Sequence, residues 1–247
     1  LMYVVKAVMA YDGSNYAGWQ KQTNATGIQE IVEKALETIH HEKTEVTASG
    51  RTDAKVHAYG QVIHFHGRDG IDPQQYQRAL NGILPLDIRI LSCEKMPDDF
   101  HARFSAKGKQ YRYVCSYDES DPFIYKYKNV LKGHVDIEAM RTASQYLLGT
   151  HDYTSFSSHK IDPRKPRVKT ISRITIDEKE NDLVFEFTGT GFLRYQIRMM
   201  TGALLAVGRG RIAPSAIKEM LEARDKHACP YNAAPQGLYL MEVYYGH

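Results

Sequence analysis

Six apolar residues, Ile28, Ile31, Val32, Ala35, Leu36 and Ile39, fall at i, i+3, i+4, i+7, i+8 and i+11, the spacing of a helix that buries one stripe. A helix with one apolar stripe must lay it on another element, and the neighbouring segments supply a sheet. Residues 3–10 before it and 61–66 after it carry the alternation of strands, with a short β-prone run at 46–48 between. Thr26 with Gln29 three residues on predicts a capping box at the helix start. Asp72-Pro73 opens a second helix to about Asn81, its proline tolerated in the first turn, and residues 84–91 turn into another strand. The order strand, helix, strand, strand, helix, strand is that of a ferredoxin-like unit, a sheet with two helices on one face.

The second half repeats this order with longer parts. Residues 109–116 read as a strand; Ile137, Met140, Ser144 and Leu147 mark a helix begun by Asp136 and closed by Gly149. Strands at 171–176 and 183–188, helices at about 192–207 and from Pro214 to near Ala223, and a closing strand at 237–244 complete it. The expected fold is α+β: two pseudo-symmetric ferredoxin-like (RRM-like) α/β halves, 1–100 and 101–247, joined into one mixed, mainly antiparallel sheet around a central cleft. Residues 157–169 lack apolar periodicity and contain Pro163 and Pro166, which reads as an extended basic loop suited to gripping phosphates.

A chain of 247 residues, 43% hydrophobic and 25% charged, has the balance of a soluble globular protein. No apolar run approaches the length of about 20 residues that a bilayer span needs, and the start lacks a leader pattern, so the expectation is a cytoplasmic protein without a membrane partner. Leu1 ahead of Met2 and the terminal Gly246-His247 read as additions to the natural chain. Cys93, Cys115 and Cys229 are odd in number and far apart, which fits neither a disulfide framework nor a zinc site; they read as reduced and structural. A net charge of +3 does not argue for nucleic acid by itself. Its distribution does: cations gather at 103–112, at 160–173 and at 194–211, with Tyr111, Tyr113, Tyr153 and Tyr195 in or near them. Such surfaces meet phosphates and stack bases.

The connection between the run at 46–48 and the strand at 61–66 holds a cation, a hydroxyl, a carboxylate and an imidazole within nine positions: Gly50-Arg51-Thr52-Asp53-Ala54-Lys55-Val56-His57-Ala58. An aspartate in a lone turn usually accepts a backbone hydrogen bond nearby; this one belongs to a cluster. The other histidines, His64 and His66, share a strand face with no second cluster to complete a metal site, so no metal is expected. The triplets at 189–191 and 208–210 lack the remainder of a nucleotide loop. Trp19, in a Gly-rich loop, reads as a packing anchor.

Residues 50–58 resemble the catalytic-loop motif G-R-T-D-A-G-V-H-A of the pseudouridine synthases related to tRNA pseudouridine synthase A, agreeing at eight of nine positions. The resemblance continues collinearly through 11–13 with 18–20, 80–82 with 84–85, 102–106, 111–113, 149–152, 191–193 with 197–198, and 234–235 with 237–238. It implies isomerisation of uridine to pseudouridine in structured RNA, most typically at the uridines on the 3′ side of the tRNA anticodon stem-loop (positions 38–40), without a cofactor and by a homodimer. It makes Asp53 the catalytic nucleophile, attacking either the sugar C1′ or the base C6. Arg198 becomes the cation that keeps Asp53 ionised when RNA closes over it, Tyr111 the ring packed on the target base, with uptake of the C5 proton as its lesser role, and Arg51 the group that fills the gap left by the everted uridine or holds a phosphate. Two departures add positive charge: Lys55 where the family has glycine, and Arg194 where it has a bulky neutral residue. Arg194 and Arg198, four apart, are expected on one helical face. A lysine tolerates positive φ poorly, so either the turn uses a commoner backbone region here or the added cation has a use. The same chemistry directed at ribosomal RNA, or a non-catalytic RNA-binding module, are the alternative readings.

Overall fold

A computed structural model describes residues 1–246; His247, with the reading made of it above, lies outside the described residues. The α+β class holds, with ten strands and five helices among the described residues. The chain forms two compact units: Leu1–Lys107 with the C-terminal segment from Tyr239, and Gly108–Leu238. The last strand, counted with the second half in the sequence reading, thus lies in the first unit.

Unit 1 holds β1 (Met2–Tyr11), α1 (Ile28–His40), β2 (Thr47–Ala48), β3 (His57–Arg68), α2 (Pro73–Ile83) and β4 (Ile88–Met96), the expected order. Unit 2 holds β5 (Gly108–Ser116), β6 (Asn129–Val130), α3 (Ile137–Gln145), β7 (Gly149–Asp152), β8 (Val168–Lys179), β9 (Asp182–Gly189), α4 (Gln196–Gly208) and α5 (Ser215–Ala223); β10 (Leu238–Tyr244) returns to unit 1.

In unit 1 the strand order is β4-β1-β3-β10. β1 is antiparallel to β3 and β4, and β10 runs parallel to β3 with Tyr239 opposite His57. The α1 stripe is in the core through Ile28, Val32, Ala35 and Leu36. His40 at its end bonds the Tyr76 hydroxyl of α2 at 2.6 Å, and Tyr76 stands edge-on to Phe65 of β3 at 5.1 Å, so both helices lock to the sheet through one buried aromatic. α2 starts as expected: Asp72 accepts from the Gln75 amide and Gln75 accepts from that of Asp72. The start of α1 differs. Its cap is Gly27, whose N–H is taken by Glu30 at 3.0 Å, while Gln29 bonds Val46 and Lys21 instead. A Cβ at 27 would lie 2.2 Å from the Gln20 carbonyl oxygen, so close backbone approach selects glycine at the cap, and the side-chain bond at this terminus comes from Glu30.

In unit 2 the order is β5-β9-β8-β7, antiparallel throughout, with β6 parallel to β5. α4 is buried almost all round, from Ile197 to Val207. It begins at Gln196, four residues later than its apolar pattern suggested, because Tyr195 caps it at φ 69. Gly149 does not close α3, which ends at Gln145 with Tyr146 as its cap; at φ 96 it opens β7 instead. The basic loop is tied down at Ser157, Ser158 and Ile161, all buried. The three cysteines are buried and unbridged, and burial pushes the thiols of Cys93 and Cys229 up to about 12 and about 11, out of the range of reactive thiolates. Among the described residues no helix is long and apolar enough to cross a membrane.

Candidate active site

Asp53 sits on the connection from β2 to β3, and buried polar groups hold that connection from two sides. From the sheet, Gln61 is fully buried. Its carboxamide oxygen accepts from the Ser49 hydroxyl at 2.7 Å, and its amide donates to the Gly50 carbonyl at 3.1 Å. Tyr11, also buried, shares a 2.7 Å hydrogen bond with the Thr52 hydroxyl. Burial pushes the Tyr11 phenol up to about 12, so it stays protonated and can serve as a donor at any physiological pH.

From the other side, the Gly-rich loop closes on the same backbone. The Trp19 amide donates to the Thr52 carbonyl at 3.1 Å, and Trp19 is buried against Tyr11, the anchoring role its lone loop position suggested. Gly18 stands at φ 91, and a Cβ there would lie 2.7 Å from the Thr52 oxygen; at Gly13 it would lie 2.0 Å from that of Val56. The Gly13 amide donates to His57 Nδ1 at 2.9 Å, so that nitrogen carries a lone pair; Asp12, 3.4 Å from the same atom, is a neighbour and not its hydrogen-bond partner. Thr52 and Val56 are buried, Asp53 half-buried, and Arg51 and Lys55 exposed. The loop therefore offers its acid and its two cations outward from a rigid base.

The turn is closed by the Val56 amide on the Asp53 carbonyl at 3.1 Å, and Lys55 occupies it at φ 68. Of the two possibilities opened by Lys55, the commoner backbone region is excluded: the glycine geometry is kept and a lysine endures it.

In unit 2, Tyr111 lies opposite Phe187 in the ladder, half-buried, its ring edge-on to Phe192 at 5.4 Å. The core tyrosine of β5 is Tyr113, fully buried, whose hydroxyl donates to the Ala234 carbonyl at 2.6 Å. On the alternate face Gln110 and Arg112 hold Glu186. Arg198 is braced at both ends: its Nε donates to the Ala233 carbonyl at 2.8 Å, and its own carbonyl accepts from the Ala233 amide at 2.9 Å. Its guanidinium stands 5.0 Å from the ring of Tyr195, and that of Arg194 stands 5.0 Å from the same ring. Arg194 precedes α4, so the two arginines meet through Tyr195 and not along a helical face.

The sequence reading gave no site role to Tyr11 or Gln61, and it named Tyr195 only as one of the aromatics among the cations. Gln61 left a trace, as a polar residue at an inward position of an otherwise apolar alternation with Ile63 and Phe65. His64 serves structure: its Nδ1 accepts the Ala102 amide at 2.9 Å. No cluster of three His, Cys, Asp or Glu able to hold a metal occurs among the described residues.

A sequence model of the tRNA pseudouridine synthase family matches residues 7–105 and 143–246. A tRNA pseudouridine synthase A of Exiguobacterium sp. is 44% identical over 241 residues, 98% of this chain and 97% of that one. That of Listeria monocytogenes serovar 1/2a is 46% identical over 244 residues, 97% of this chain and 98% of that one, and that of Acetivibrio thermocellus 38% identical over 242 residues, 98% and 99%. Among solved structures, a Cbf5-Nop10-Gar1 complex aligns at TM-score 0.39 and 12% identity over 82% of this chain and 45% of that one, a likeness too slight to argue from.

Proposed function

Given that this chain belongs to the tRNA pseudouridine synthase family, we propose that it isomerises uridines on the 3′ side of the tRNA anticodon stem-loop with Asp53 as nucleophile. The N1–C1′ bond of uridine breaks, the freed base turns, C5 joins C1′, and the proton on C5 is released while N1 gains one. Atoms and electrons balance within the substrate, so the chemistry calls on no redox partner or group donor.

The observation that carries this reading is the investment in one short loop. Gln61, Ser49, Tyr11 and Thr52 form a buried polar network, Trp19 and two close-packed glycines brace the other side, and what they present is a half-buried carboxylate. A binding module has no call for it, since a carboxylate repels phosphate; a nucleophile has, because a rigid support lowers the cost of reaching attack geometry.

Arg198 is the counter-cation of Asp53 in this reading. The support is its preorganisation: with Nε committed to Ala233, the direction of the guanidinium is set before RNA arrives. Tyr111 stacks on the target base, which suits its half-exposure beside Phe192. Arg51, exposed two residues before Asp53, fills the space vacated by the everted uridine or holds a phosphate. The enzyme works in the cytoplasm as a homodimer that holds one tRNA across both subunits. The reading is tested by incubating it with purified tRNA and ribosomal RNA and mapping pseudouridine in each. Conversion confined to the 3′ side of anticodon stems is expected. Conversion of ribosomal RNA alone would overturn the substrate, and conversion of neither the activity.

A further inference from the structure

In unit 1, residues 101–105 form a turn in which the outer residues are conspicuous: Phe104 is 76% exposed and Arg103 is exposed beside it, its guanidinium 5.7 Å from the ring centre. An exposed phenylalanine on a mobile loop needs no explanation. This one is on a rigid support. The Ser105 amide donates to the His101 carbonyl at 2.9 Å, and the His101 amide donates to the Ser105 hydroxyl at 2.9 Å. His101 Nδ1 accepts the amides of Arg103 and Phe104, both at 3.1 Å. Beneath them the Ala102 amide donates to His64 Nδ1 at 2.9 Å, and the Ala102 carbonyl accepts from the Tyr245 hydroxyl at 2.5 Å. Ala102 itself is fully buried. The imidazole of His101 also stacks on Phe104 at 4.3 Å and 26°.

Four side chains and six hydrogen bonds thus hold a five-residue turn in one shape, and its product is an aromatic face in solvent with a guanidinium next to it. We propose that this turn is a preformed platform for an unpaired nucleobase of the RNA substrate, which stacks on Phe104 while Arg103 meets the adjoining phosphate. The pairing of a rigid aromatic with a cation matches what single-stranded RNA offers, a π-face and a negative charge one bond array apart. Rigidity matters because ordering a loop at the moment of binding would consume the stacking energy gained. Charge argues against a neutral apolar partner: a protein surface filling this spot would have to bury the Arg103 guanidinium as well.

The inference rests on RNA being the substrate, and the test separates the two. Phe104→Ala should raise KM for tRNA about tenfold, within the range that loss of one base stack gives, with the loss falling on KM and not on kcat, and with the thermal midpoint unmoved. Phe104→Trp should keep KM near the starting value, and its emission, read over that of the buried Trp19, should be quenched by tRNA and by a short unpaired oligoribonucleotide but not by a blunt RNA duplex. Unchanged KM in Phe104→Ala together with unquenched Trp emission in a protein that still isomerises tRNA would overturn the platform and leave the family chemistry standing. A change in sedimentation of Phe104→Ala without a change in KM would equally overturn it, and would make the turn a contact between copies. If the starting protein converts no RNA, the functional reading fails first.

Discussion

Lys55→Gly puts a price on the backbone of the loop that carries Asp53 and tests whether the added cation has a use. At φ 68 an L-residue other than glycine bears about 1–2 kcal/mol of steric cost. Glycine removes it but gives the unfolded chain more freedom, a loss of about 0.5–1 kcal/mol. The Cα and the closing hydrogen bond from Val56 to Asp53 stay where they are, and the lysine side chain is exposed, so no packing is forfeited. The net expectation is a gain between zero and about 1.5 kcal/mol, and for a chain of this size each 1 kcal/mol raises the thermal midpoint by about 2–4 °C. Since the strain is kept where glycine would have relieved it, the ammonium is expected to contact RNA: binding of tRNA should weaken in Lys55→Gly, and the slope of log affinity against log salt should fall by about 1. The assays are differential scanning calorimetry and filter binding at three salt concentrations. A lower thermal midpoint would refute the left-handed turn; a raised midpoint with an unchanged salt slope would refute the use of the charge.

Gly18→Ala should cost more than about 1 kcal/mol, because positive φ and a clash with the Thr52 carbonyl add; it should also slow turnover, read as a joint fall in urea midpoint and rate. Tyr113→Phe leaves the Ala234 carbonyl without its donor and should lower stability by about 1–3 kcal/mol, with a fall in kcat from loosening the segment that holds Arg198. His64 titrates at about 4, lowered by burial first and then by the charges of His101 and His66, whereas in the unfolded chain it titrates near 6.5. Between those values the unfolded chain holds more protons, so this contribution is whole above pH 6.5 and is lost as the pH falls toward 4. His64→Gln should flatten the decline of the thermal midpoint across that window.

Local pattern made much of this protein legible. The α1 stripe, the Asp72 cap of α2 and the polar cluster around Asp53 are each carried by residues close in sequence, and each stands where the pattern put it. What escaped was set by distant partners. β6 and β7 are two and four residues long and exist by pairing with β5 and β8, for which short segments carry no signal of their own. Phe192 and Leu193 extended the apolar pattern of α4, but the left-handed Tyr195 stops the helix short of them. The network from Tyr11 through Thr52 and Gln61 to Ser49 joins three segments, so its members look like ordinary strand and loop residues until the sheet forms. Lys55 is the sharpest case. Sequence posed the choice between a relaxed turn and a strained one, and only the backbone angle answered it.

The account stands on Asp53 doing the chemistry, and release of tritium from tRNA labelled at uridine C5, measured beside RNA binding in the same preparations, tests it most directly. The unaltered enzyme should release the label, and Asp53→Ala should release none while binding tRNA with similar affinity. Continued release by Asp53→Ala would contradict the account, whatever the fate of the other residues.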